Sequence, residues 1–281
     1  MTAEGKCGRA LDLLRQQCKA SAAPGWFKEI AYRSGRSVRP IPSDLEIMRC
    51  MCSAIAYSQG ARASLIGELI KAPVFKAAFA DFVPAALAMR NPDAILKKYW
   101  PRLGHFRFKG KIRQIVQCAQ TLNGITRDHG SFARYLQSFQ IPQRIRTAKH
   151  LDQFWRQFDA LQRDLMRREM PFFRSTTSLL QLLLDLDFDS VKPDLIVMRL
   201  ARRIGIVERE TGDRAFRKCV RFLQEYSIQK SCRAAELDWV LLAFGGQSGA
   251  GRSLTQNFCP ASDPCHHTTC ALGANSLCLA H

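Results

Sequence analysis

Apolar side chains recur along this chain at the spacing of one face of an α-helix, and no run alternates with the period of two that a strand requires. The clearest stripe is Leu151, Phe154, Trp155, Phe158, Leu161 and Leu165, which predicts one long amphipathic helix. Leu45, Met48, Cys52, Ile55 and Ala56 predict a helix from Asp44 to Ile70, opened after Pro42 with Ser43 or Asp44 as its cap. Pro92–Tyr99 reads as a short helix behind an Asn91 cap. Lys109–Leu122 carries Ile112, Ile115, Val116 and Ala119 on one face and is expected to stop near Gly124. Further helices are predicted over 131–139, 177–186, 193–204, 213–226 and 234–244. Residues 1–42 read as mixed, basic and partly ordered. Residues 245–258 read as a Gly/Ser-rich loop. The expected fold class is all-α.

The 281 residues suffice for one large domain or two intimate lobes, and an apolar content of 47% marks a folded chain. No apolar run approaches the roughly 20 residues that span a bilayer. Met1–Ala10 lacks the apolar core of an export signal. A cytoplasmic or nuclear protein, neither secreted nor membrane-bound, is the expectation.

Charge changes the picture. The net charge is +18, and a balance that basic points to a polyanionic partner. Residues 101–150 hold ten basic side chains against a single acid, Asp128, a net +9 that is half of the chain's +18. The alternative is a solvated basic surface.

Two places carry candidate chemistry. In Ser190-Val191-Lys192-Pro193-Asp194-Leu195-Ile196-Val197-Met198-Arg199, Pro193 suits the first turn of a helix, and Asp194 follows it where the helix dipole favours an anion. A carboxylate fixed there can stabilise a developing cation or activate a water; it can also be an ordinary first-turn acid. The second place is the cysteine cluster Cys259, Cys265, Cys270 and Cys278. Without an export signal, four clustered thiols argue for metal over disulfides. They suit a [4Fe–4S] cluster; zinc, with His266 or His267 replacing one sulfur, or free thiols are the alternatives. The other seven of the eleven cysteines are scattered, mostly in apolar stretches, and read as small buried hydrophobes.

Several strings resemble the helix-hairpin-helix DNA glycosylase superfamily, over residues 43–278. Asp194 to Arg199 is similar to its catalytic string, in which an aspartate opens a helix and an arginine follows at this spacing. Ala54-Ile55-Ala56-Tyr57-Ser58-Gln59-Gly60-Ala61-Arg62 resembles the early helix-to-loop string of endonuclease III-like enzymes. Phe106-Arg107-Phe108-Lys109-Gly110-Lys111-Ile112, followed by His129-Gly130-Ser131-Phe132-Ala133-Arg134-Tyr135-Leu136-Gln137-Ser138-Phe139, resembles the 3-methyladenine DNA glycosylase I family. Phe173–Thr177 is similar to that family's hairpin, although residues 170–175 read Met-Pro-Phe-Phe-Arg-Ser in place of the usual glycine-rich turn. Glu236-Leu237-Asp238-Trp239-Val240-Leu241-Leu242-Ala243-Phe244-Gly245 resembles the helix before the iron–sulfur loop of endonuclease III-like enzymes.

The resemblance implies a helical lobe over 43–188 and a second lobe of 1–42 with 189–281, including a metal loop over 259–278, with a cleft between the lobes and Asp194 at it. It implies a monomer acting on double-stranded DNA with a damaged base, an alkylated purine by preference. Asp194 would be the catalytic carboxylate. Gln59, Lys109, Lys111, Arg113, Arg174, Ser175 and Thr176 would contact DNA, and Tyr57 and Phe106 would line a base pocket. Bifunctional members carry a lysine about 18 residues before the aspartate; that position is Thr176, and no lysine lies between Arg174 and Val191. The resemblance therefore implies a monofunctional enzyme. A non-catalytic DNA-binding protein with an iron–sulfur or zinc site is the alternative.

Overall fold

The computed structural model describes residues 3–20, 32–35, 37–245 and 271–279. Among the described residues all regular structure is helical, as the periodicity predicts, and there is no strand. The chain divides into two compact units: Arg39–Ile141 with Gln153–Leu186, and Met1–Val38 with Pro142–Asp152 and Asp187–His281.

The first of these units is built around the Gly110–His129 helix. Its face of Ile112, Ile115, Val116, Ala119, Leu122 and Ile125 is fully buried, and each of the larger aliphatic side chains contributes about 1.5–3 kcal/mol of transfer free energy. The helix does not stop at Gly124, because the apolar stripe continues through Ile125; it ends at Gly130, whose φ of +81° closes it. The Asp44–Tyr57 helix packs against it. Ser43 is the cap and forms a reciprocal capping box with Glu46. That frees Asp44 to accept from Thr126 Oγ1 at 2.7 Å and from the Phe132 amide at 2.9 Å, tying three helices at one point. The expected single helix to Ile70 is broken. Gln59 and Gly60 both adopt positive φ, and a new helix, Ala63–Lys71, follows. Pro92–Tyr99 behind Asn91 forms as expected, with Asn91 accepting from Asp93 and Ala94.

The second unit centres on Ala234–Gly245, a helix apolar almost all round and buried accordingly. Leu195–Arg203, Asp213–Gln229 and Ala3–Ala20 pack on it. The Ala3–Ala20 helix lies in a stretch whose pattern read only as mixed. Its buried stripe, Cys7, Ala10, Leu11, Leu14 and Cys18, is made largely of small residues that give a weak periodic signal. Gly245 lets Ala234–Gly245 approach Leu195–Arg203 closely: a Cβ there would lie 2.8 Å from Ile196 Cγ2 and from Leu200 Cδ1.

Candidate functional site

Asp194 does not sit inside the first turn, as the position of Pro193 predicts; it is the N-cap of Leu195–Arg203, with extended backbone. Its Oδ1 accepts from the Ile196 amide at 2.9 Å and the Val197 amide at 3.1 Å. Its Oδ2 takes no hydrogen bond among the described residues, and the side chain is half-buried. One oxygen is thus pinned to the helix terminus. Arg199, five residues on, donates from Nη2 to the Gly245 carbonyl at 2.7 Å. It closes the C-terminus of the neighbouring helix, where a cation is favoured. The aspartate–arginine spacing therefore fixes the Asp194 helix onto Ala234–Gly245.

The chain leading to Asp194 is held by buried charge. Arg233 donates to Asp189 at 2.6 Å and to Asp187 at 2.9 Å, and Arg144 donates to Asp187 at 2.6 Å. Asp189 also accepts the Ile145 amide at 2.9 Å. Burial works against the charge of Asp187, but the Arg144 and Arg233 guanidiniums outweigh it and hold its carboxyl below the usual range.

Asp238, which no sequence pattern marks for a role, is 1% exposed. Its Oδ1 accepts the Lys192 amide at 2.8 Å and its Oδ2 accepts from Arg33 at 3.4 Å. The available signal was an acid in a helix with no polar face.

In the other unit, Gln59 stands exposed at the break after the Asp44–Tyr57 helix. Two cations hold this loop. Lys111 Nζ donates to the carbonyls of Ala56 and Ser58, each at 2.9 Å, and Arg107 donates to the Gly60 carbonyl. The Lys111 side chain is 1% exposed, so it is a strut under the loop and not the free phosphate-gripping cation that was expected. Burial, with Arg107 close by, brings its pKa down to about 8. Lys109 is exposed beside it, 5.8 Å from the centre of the Trp100 ring. Gln59, Phe108, Lys109, Gly110, Lys111 and Gln114 line one surface recess. Arg113 is also exposed but pairs with Asp93 at 3.0 Å.

The two aromatic pocket candidates part company. Phe106 is 0% exposed and packs with Phe75 and Phe79, at centroid distances of 6.0 and 5.9 Å. It belongs to the core, since aromatic clustering in a four-phenylalanine region outcompetes exposure. Tyr57 is 40% exposed, and partial burial raises its phenol pKa. Phe108 is 45% exposed between Arg107 and Lys111.

At the degenerate hairpin, Ser175 caps Thr176–Asp185 by accepting the Ser178 amide. Arg174 and Ser175 are exposed. Thr176 is buried and accepts from Gln162 at 3.2 Å, so its hydroxyl is occupied internally. Of the four clustered cysteines, Cys259, Cys265 and Cys270 lie outside the described residues. Cys278 is buried, next to Leu279, whose amide donates to the Arg203 carbonyl at the end of the Asp194 helix. Among the described residues no group of three or more His, Cys, Asp or Glu side chains is placed to hold a metal ion. No helix among them is long and apolar enough to cross a membrane.

No curated protein and no solved structure matches the chain. Residues 57–182, a little under half of it, match the family model for methyladenine glycosylase.

Proposed function

We propose that this chain hydrolyses the N-glycosidic bond of an alkylated purine in double-stranded DNA, as a monofunctional glycosylase acting as a monomer. The match of residues 57–182 to the methyladenine glycosylase family is the observation that carries this reading. The net charge of +18 is consistent with it.

In this reading Asp194 is the catalytic carboxylate. As the base departs, the sugar acquires oxocarbenium character, and an adjacent anion stabilises it. Oδ1 stays on the Ile196 and Val197 amides. Oδ2 faces the sugar, orients a water and takes its proton as the new C1′–O bond forms. The C1′–N bond breaks, and an alkylated purine leaves neutral because it already carries positive charge. Reaching the bond requires the nucleotide to be flipped out of the stack, at a cost of a few kcal/mol that a damaged pair reduces. Gln59, on the loop braced by Lys111 and Arg107, enters the vacated space. Lys109, Arg113, Arg174, Ser175 and the amide end of Thr176–Asp185 contact phosphates. Tyr57 borders the extruded base.

The clustered cysteines are proposed to hold a [4Fe–4S] cluster, with zinc as the alternative. Cys278 is the only proposed ligand among the described residues, and its burial beside the Asp194 helix suits a structural role. Visible absorption and metal analysis of the purified protein distinguish iron from zinc.

The test is a panel of duplex oligonucleotides, each with one lesion, incubated with protein and then cleaved with alkali. Alkali-labile product from alkylated-purine strands is expected. Tight, salt-sensitive DNA binding with no abasic product from any lesion would mark a non-catalytic DNA-binding module instead.

A further inference from the structure

Asp238 is a costly residue for the fold to keep. It is the least exposed acid among the described residues, in a helix whose one other charged residue, Glu236, is paired with Arg15. An uncompensated buried carboxylate is expensive, and an apolar side chain of similar size would serve packing as well or better. Its hydrogen bonds show what it holds. In the turn Lys192-Pro193-Asp194, proline has no N–H, and the Asp194 amide is used within the turn, donating to the Lys192 carbonyl at 2.8 Å. The Lys192 amide is the remaining donor, and it goes to Asp238 Oδ1 at 2.8 Å.

Building on the assignment of Asp194 as the catalytic carboxylate, we propose that Asp238 is its positioning residue: by accepting the Lys192 amide it locks the turn that presents Asp194 Oδ2. The charges around Asp238 fit a role beyond that of a neutral acceptor. Arg33 donates to Oδ2 and stacks on the adjacent Trp239 ring at 5.2 Å. Lys192, Asp194 and Cys219 are the other titratable groups that interact with it. Burial pushes the Asp238 carboxyl up to about 6, Arg33 and the Lys192 amide pull it down, and the negative charge of Asp194 adds to the rise. The Asp238 carboxyl therefore titrates about two pH units above a free aspartate.

The test compares the full-length wild type with Asp238→Ala and Asp238→Asn in two readouts. One is the single-turnover rate of base release from a methylated-purine duplex between pH 5 and 9. The other is amide hydrogen exchange over residues 190–198, which needs no activity. Asp238→Ala is expected to slow release about tenfold or more, leave DNA affinity within about threefold, and speed exchange in the segment about tenfold. Asp238→Asn keeps an acceptor for the Lys192 amide. It is expected to retain slow exchange and most of the rate at pH 7, and to shift the acidic limb of the rate–pH profile. Wild-type exchange over 190–198 in Asp238→Ala would overturn the proposal whether or not the protein releases bases. Should Asp238→Ala fail to fold, fast exchange over 190–198 in folded Asp238→Asn, or an unshifted acidic limb, would overturn it. Failure of the wild type to release any base would instead strike the glycosylase reading, and exchange alone would then decide the role of Asp238.

Discussion

Lys111 places its side-chain nitrogen 2.9 Å from the carbonyl oxygen of Ser58, the residue before Gln59. The ammonium sits under the end of the Asp44–Tyr57 helix, where partial negative charge accumulates on unpaired carbonyls. A residue type that reads from sequence as a DNA-gripping cation is therefore a support for the loop that carries Gln59.

Lys111→Met removes both donors and leaves the Ala56 and Ser58 carbonyls without their partner. The expected cost is about 1–3 kcal/mol, read as a lower urea midpoint. Lys109→Met, at an exposed position next door, is expected to leave the midpoint unchanged and to weaken DNA binding with a shallower salt dependence.

Gly245→Ala introduces a methyl group 2.8 Å from Ile196 and Leu200 side-chain atoms. Overpacking of this kind costs about 1–3 kcal/mol. Because the displaced helix is the one Asp194 caps, activity is expected to fall more than thermal stability suggests. Parallel measurement of melting temperature and base release checks this.

Arg233 compensates two carboxylates at once, the buried Asp189 and the largely buried Asp187. Arg233→Met leaves Asp187 and Asp189 short of their shared partner, and breaking a buried pair costs about 3–5 kcal/mol. Chemical denaturation at pH 7 should show this loss. The loss should shrink as pH falls below the ordinary aspartate range, where protonation relieves the stranded charges.

Asp238 gives a pH dependence of opposite sign. Its carboxyl is pushed up to about 6 in the fold, against about 4 for a free aspartate, so between these values the folded state binds more proton than the unfolded state. Stability contributed by this group is present below about pH 4 and declines as pH rises to about 6, by on the order of 3 kcal/mol. Asp238→Asn should remove that slope from a plot of unfolding free energy against pH.

Much of the fold was legible because long helices advertise themselves. Leu151 to Leu165 and Ile112 to Ala119 bury the faces their spacing defines. Boundaries failed where local backbone geometry decides. Nothing in Tyr57-Ser58-Gln59 announces that Gln59 takes a positive φ and splits one expected helix in two. The candidate site was partly legible. Proline followed by an acid marks only a helix start; the resemblance of Asp194–Arg199 to a catalytic string is what singles Asp194 out, and the shift from first turn to N-cap depends on backbone angles. Phe106 and Lys111 read as a base-pocket residue and a DNA contact because an aromatic and a basic residue in a basic stretch look like binding groups; whether such a side chain turns inward depends on Phe75, Phe79 and the Ser58 carbonyl, all distant in sequence. Asp238 is not legible in the sequence, because a helical acid gains meaning only from the Lys192 amide that it accepts.

The most direct measurement is base release by Asp194→Asn set beside its affinity for the same lesion-bearing duplex. Asparagine still caps the helix but carries no negative charge. The account predicts that release falls by at least about a hundredfold while binding stays within about threefold. Release by Asp194→Asn at the wild-type rate would contradict it.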